Sequence, residues 1–148
     1  MKRIFVSAAA RFTTPYEDLD LCFRESYHTY LASLASGQNF RYYSHIGTYQ
    51  FLIPQMDSKL MRNYMRSYIS PLVDKAELFD TLKAYVLCQG EIFKTADQLS
   101  CHHNTIRYRI TKIKELLSCE HLTDQEFYSN IAIAVRLYLL KDRVGANL

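Results

Sequence analysis

Long apolar runs are missing from this 148-residue chain: the longest, such as Ile131–Val135, fall far short of the ~18 residues a membrane span requires. The opening Met1-Lys2-Arg3-Ile4-Phe5-Val6 turns polar too soon for a secretory signal, so a cytoplasmic protein is expected. Cysteine pairs are missing as well. Cys22, Cys88, Cys101 and Cys119 lie 66, 13 and 18 positions apart with no C-x-x-C, which fits neither a disulfide framework nor a zinc ribbon and leaves reduced thiols. There is no internal repeat, and no Gly/Ser-rich linker, so an N-terminal and a C-terminal part are expected to touch. A Gly-rich phosphate loop, a G-x-S-x-G elbow, H-E-x-x-H, paired carboxylates and the GGDEF signature are all absent, and an enzyme is not expected.

What is present is enough apolar material for a core: 49% of residues are hydrophobic and 22% charged. The net charge of +3 divides unevenly. Residues 1–70 carry 8 basic and 5 acidic side chains, and residues 71–148 carry 10 of each. Within that neutral second half, His102 to Lys114 holds Arg107, Arg109, Lys112 and Lys114 and no acid. A local basic stripe on a neutral background points toward a polyanionic partner.

Ile4–Ala9 reads as a strand. After Pro15, Leu19, Phe23, Tyr27, Tyr30 and Leu34 recur at helical spacing and predict one apolar stripe, with acids at 17, 18 and 20 in the first turn and Gly37 as the stop. Phe40–Tyr43 reads as a short strand and Ile46–Gln55 as a helix. Asp57–Ser70, between Pro54 and Pro71, reads as a connecting helix. Glu77–Cys88, Ile92–Leu99 and Asn104–Leu117 follow as helices, and Thr123-Asp124-Gln125-Glu126 starts a last one ending near Asp142. Tyr42, Tyr43, Tyr49 and Phe51 are expected to be core rather than a stacking surface.

Lys94 to Ile110 has the pattern of a helix-turn-helix: small Ala96 where the helices cross, with Leu99, Ile106 and Ile110 as anchors. At 100° per residue, Ile106, Ile110, Ile113 and Leu117 form one buried stripe and Tyr108 projects opposite it. Residues near the start of such a helix meet base edges, which makes His103, Asn104, Thr105, Arg107 and Tyr108 candidate readers. Arg109, Lys112 and Lys114, with Lys94, are candidates for phosphates. Cys101, His102, His103, Cys119 and His121 are metal-ligand types, but C-x17-C-x-H matches no standard site and the two histidines are expected to point apart, so neither metal nor cofactor is expected.

His103-Asn-Thr-Ile-Arg-Tyr-Arg-Ile followed by Ile113-Lys-Glu-Leu-Leu resembles the RNTLRYRL…IEELL signature of PucR/CdaR-type bacterial transcription regulators. The flanks Leu78-Phe-Asp-Thr-Leu-Lys-Ala-Tyr and Ile131-Ala-Ile-Ala-Val-Arg-Leu are similar to that family's LLETLRAYL and LALRL segments. Three places depart from the pattern: Ser100 stands where a glycine often opens the turn, His103 where an arginine is usual, and Ala10-Arg-Phe where a glycine-containing sequence usually follows the strand. The resemblance implies a mainly α protein. A partial GGDEF-like α/β module would occupy 1–56, a connecting helix 57–72 and a helix-turn-helix DNA-binding domain 73–148. It further implies sequence-specific DNA binding in control of a metabolite-responsive catabolic operon, with the signal sensed outside this chain. The implied partners are double-stranded operator DNA, a second copy of the chain and RNA polymerase. Phe127 to Leu140 is apolar but for Ser129, Asn130 and Arg136, which leaves two readings open: a dimerisation face, or burial against the N-terminal part. A protein-interaction module built on that helix is the alternative function.

Overall fold

The structure, a computed structural model, describes residues 19–145; the strand expected at Ile4–Ala9 lies outside the described residues. The regular elements described are helices: α1 (Leu19–Ser36), α2 (Tyr49–Gln55), α3 (Lys59–Ile69), α4 (Ala76–Leu87), α5 (Ile92–Gln98), α6 (His103–Leu116) and α7 (Asp124–Gly145), with 3-10 turns at Tyr43–His45 and Ser70–Leu72. They form two compact units. One comprises the residues up to Ser58 with those from Leu139 onward, and the other is Lys59–Tyr138.

The first unit corrects two expectations. Among the described residues no α/β remnant is seen: Phe40–Tyr43 is not a strand, because the extended backbone at Tyr42 gives way at once to the 3-10 turn and no neighbouring strand offers a ladder. Phe40 and Tyr43 pack instead on a core of Leu31, Ala32, Ala35, Ile46, Tyr49, Ile53 and Leu140. The α1 stripe is only half realised. Tyr30 and Leu34 join that core, whereas Phe23 is 72% exposed and Leu19 and Tyr27 are also exposed. The buried face of α1 is Thr29, Leu31, Ala32, Ser33 and Ala35. Ser33 is accommodated there because its hydroxyl donates to the Thr29 carbonyl (2.9 Å) and accepts the Phe40 N–H (3.1 Å). Of the tyrosine-rich cluster, Tyr49 is core and Tyr43 half-buried, while Tyr42 and Phe51 face solvent.

Pro54 sits inside α2 and cannot donate to the Gln50 carbonyl one turn back. The Tyr43 hydroxyl approaches that carbonyl at 3.5 Å, and the Gln50 amide donates to the Tyr43 carbonyl at 3.2 Å.

In the second unit, the helices start and stop close to where the periodicity places them. Leu72, Leu82, Ile106, Ile113, Phe127 and Ile131 are fully buried, each such burial contributing about 1.5–3 kcal/mol. The Tyr64 hydroxyl donates to the Asn130 carbonyl at 2.9 Å, and burial, aided by Tyr68, pushes its pKa up to about 12. Three successive helices end alike. Gln89, Ser100 and Ser118 follow α4, α5 and α6 in the left-handed region, at φ +57°, +52° and +53°. Each lets two N–H groups return to the helix it ends, for example Gly90 to the Tyr85 carbonyl and Gln89 to that of Val86.

A reciprocal cap starts α7: the Thr123 N–H donates to the Glu126 carboxylate (2.9 Å) and the Glu126 N–H to the Thr123 hydroxyl (3.3 Å). From Phe127 to Leu140 only Ser129 is exposed.

Candidate nucleic-acid interface

Helices α5 and α6 with the turn between them build a helix-turn-helix from the bottom up. Ala96 is 4% exposed, and its small side chain permits close packing of the two helices. The Ser100 N–H donates to the Asp97 carbonyl (3.2 Å) and the Cys101 N–H to the Ala96 carbonyl (3.0 Å), a closure that requires residue 100 to be left-handed. Serine accepts this at some strain, where glycine would not be strained. His102 is then extended (φ −74°, ψ 144°) and caps α6, its Nδ1 accepting the Asn104 N–H at 3.2 Å.

The helix presents two different faces. Inward, Ile106, Ile110 and Ile113 are buried as the 100° arithmetic requires, and Leu117 is half-buried just past the end. Outward, Tyr108 is 66% exposed, with Asn104, Arg107 and Thr111 exposed around it and Thr105 half-buried at the edge. The Arg107 guanidinium makes no hydrogen bond or ion pair among the described residues.

The basic residues do not act as one stripe. Lys112 is exposed and pairs with Glu115 at 2.9 Å; that contact raises its pKa. Lys94 on α5 is likewise exposed and pairs with Glu91 at 2.6 Å. Surface pairs of this kind are weak, so both ammonium groups remain exchangeable. Arg109, by contrast, turns inward: its Nη1 donates to the Thr81 hydroxyl at 3.2 Å and its Nη2 pairs with the Glu77 carboxylate, both on α4. Lys114 is held by the Leu122 carbonyl (3.2 Å) and Asp124 (2.6 Å), with its charge 5.2 Å from the centre of the Phe127 ring.

The two imidazoles at the start of α6 do not point apart. Their rings lie against each other, tilted by 35° with centroids 4.0 Å apart, because His102 folds back to cap the helix that His103 begins. Phe93 on the first turn of α5 lies against His103 at 4.9 Å. Partial burial, then the neighbouring His102 and Arg107, hold the His103 pKa below its ordinary value of 6.5. Sequence reasoning missed Phe93. The signal was available: Ile92, Ala96 and Leu99 define the inward face of α5, and Phe93 lies about 100° off it, at 61% exposure.

The structure therefore brings exposed Asn104, Arg107 and Tyr108 together with half-buried His103 on one side of α6, with Phe93 beside His103. It sets Lys94 and Lys112 as loosely paired cations and ties Arg109 to α4. Guanidinium, amide, imidazole and phenol on one side of the helix make a set of hydrogen-bonding groups suited to base edges, with cations available for phosphates.

Residues 78–137 match the family model of the PucR C-terminal helix-turn-helix domain. The chain is similar to an uncharacterized protein of Haemophilus influenzae, 34% identical over 73 residues, covering 48% of this chain and 18% of that protein. It is also similar to the purine catabolism regulatory protein of Bacillus subtilis, 31% identical over 93 residues, covering 60% of this chain and 17% of that protein. The chain thus spans less than a fifth of the length of these curated relatives. No solved structure is significantly similar to it. No described helix is long and apolar enough to cross a membrane.

Proposed function

We propose, from the match of residues 78–137 to the PucR C-terminal helix-turn-helix domain, that this chain binds double-stranded DNA sequence-specifically to regulate transcription. The observation that carries the reading is the Arg107 guanidinium, unpaired among the described residues, beside exposed Asn104 and Tyr108 on the helix that follows a tight interhelical turn.

In this reading the first half of α6 enters the major groove. Arg107 reads guanine through its O6 and N7, Asn104 reads adenine, and Thr105 meets a thymine methyl. His103 and Tyr108 add hydrogen-bonding groups at the edges. Lys112 and Lys94 exchange their carboxylate partners for phosphates. Arg109 contributes from behind, because its bonds to Glu77 and Thr81 tie α6 to α4 and so fix which residues face the groove. A two-fold site would engage a second copy of the chain, and RNA polymerase would be the enzyme whose access to the promoter changes. The name of the Bacillus subtilis relative supports genes of metabolite breakdown as the target class. The chain then acts in the cytoplasm, as a regulator and not as an enzyme.

Selection of bound fragments from sheared genomic DNA at about physiological salt tests this, with Arg107→Ala run in parallel. Enrichment of a few fragments that share a motif, lost in the variant, is the expected result. Weak and unenriched binding by both proteins would reduce the outer face of α6 to a solvated surface.

A further inference from the structure

Next to the outer face of α6, the second unit carries a cavity of 410 Å³ that shares Arg107 with the proposed DNA-reading face. Small-molecule sites commonly run from ~300 to ~1,000 Å³, so this one is sized for a compact metabolite. Tyr85 of α4, Ile92 of α5 and Ile110 of α6 supply the apolar part of a lining that is otherwise polar. The charged groups on its lining are Arg107, Lys114 and Asp124. Lys114 and Asp124 neutralise each other across 2.6 Å, and Lys114 is further held by the Leu122 carbonyl. Arg107 is left as the one charge on the lining without an ion-pair partner among the described residues.

A single uncompensated guanidinium beside a small apolar patch, on an otherwise polar lining, favours one class of occupant. A carboxylate takes the guanidinium fork with two parallel hydrogen bonds, and a flat hydrocarbon body covers Tyr85 and Ile92. A dianion would leave a charge without a partner, and a cation would meet Arg107 with the wrong sign. We propose that this cavity binds a small organic monoanion anchored by Arg107, and that ligand and DNA compete for that side chain. The competition rests on the DNA-binding reading; the binding of the anion does not.

The probe is benzoate, with benzamide as its uncharged isostere, titrated into the isotopically labelled full chain and followed by amide NMR. Gly90 and Thr111 line the cavity and serve as reporters. Benzoate is expected to move both amides saturably with a millimolar or tighter Kd, while benzamide does not. Arg107→Gln is expected to weaken benzoate at least tenfold, and Lys59→Gln, on the exposed side of α3, to leave it unchanged. No localised shift up to about 50 mM benzoate, well above a millimolar Kd, or equal shifts from benzamide, would overturn the site. In the second arm, benzoate at ten times its Kd is expected to raise the Kd for a selected DNA fragment about tenfold, as mutual exclusion requires. An unchanged DNA Kd with benzoate bound would overturn the competition. Should the chain bind no DNA at all, the DNA-binding reading fails while the NMR arm still decides the cavity.

Discussion

The outer face of α6 and its inner flank draw on the same residue types, and two arginines only two positions apart show how differently each is used. Arg107 stands exposed with its guanidinium unpaired among the described residues. Arg109 is 18% exposed and committed to Thr81 and Glu77 on α4. Lys112 and Lys114 repeat the contrast, one on a surface pair and the other held by a carbonyl, a carboxylate and an aromatic ring. A basic stripe read from sequence counts all four alike. The difference lies in what each charge already holds, because a cation with buried partners gives up more to reach a phosphate than one on a solvated pair.

The comparison breaks first if the inner face is not structural. Ile106→Ala, at a fully buried site, is expected to cost about 2–5 kcal/mol in denaturant unfolding; a loss below about 1 kcal/mol would mean that α6 is not held by its isoleucine stripe. The two arginines sharpen it next. Arg109→Ala should lower folding stability by about 1–3 kcal/mol and weaken DNA only in proportion to the folded fraction. Arg107→Ala should leave unfolding within about 0.5 kcal/mol of the parent yet cost about 1–3 kcal/mol on the preferred DNA site. If the pair exchanged phenotypes, the division of α6 into faces would be wrong. Lys112→Ala is expected to weaken specific and random DNA alike and to reduce the slope of log affinity against log salt by about 0.9, read by anisotropy titration at several salt concentrations.

The smallest expected effect is on pH dependence. The fold holds the His103 pKa below its value in the unfolded chain, so the stability this group contributes is present above about pH 6.5 and is lost as pH falls through the folded value. DNA acts in the opposite sense, since phosphates favour the protonated ring. Affinity should therefore rise modestly from about pH 7.5 to about pH 6, with proton uptake on binding, and His103→Gln should flatten that part of the profile. A wild-type profile that His103→Gln leaves unaltered would remove His103 from the interface.

How far the sequence could be read depended on whether periodicity alone decided the outcome. For α6 it did: the 100° rule identifies both Ile106, Ile110 and Ile113 inside and Tyr108 outside, because the helix has packing on one side only. The same rule applied to α1 finds Leu19, Phe23 and Tyr27 on a shared stripe, and there it misleads about burial. Periodicity tells which residues share a face, not whether another element covers it. Phe40–Tyr43 has the composition of a strand, but a strand also needs a partner, and that information lies elsewhere in the chain. The partners of Arg109 are equally invisible locally, since Glu77 is 32 positions away. Phe93 was legible in principle, as a large apolar residue off the inward face of α5.

The three left-handed residues that close α4, α5 and α6 have a consequence for engineering. Gln89, Ser100 and Ser118 each carry a side chain where the backbone favours none, a cost of roughly 1–2 kcal/mol per position. Glycine at any of them removes that cost from the folded state and gives part of it back as disorder in the unfolded chain. Ser100→Gly should consequently raise the midpoint of thermal unfolding by a few degrees, up to about 4–8 °C if the net gain reaches about 1 kcal/mol. A lower midpoint would show that the serine side chain contributes more than its backbone costs. The domain thus holds unused thermal margin at three helix ends, reachable without altering the inner or outer face of α6.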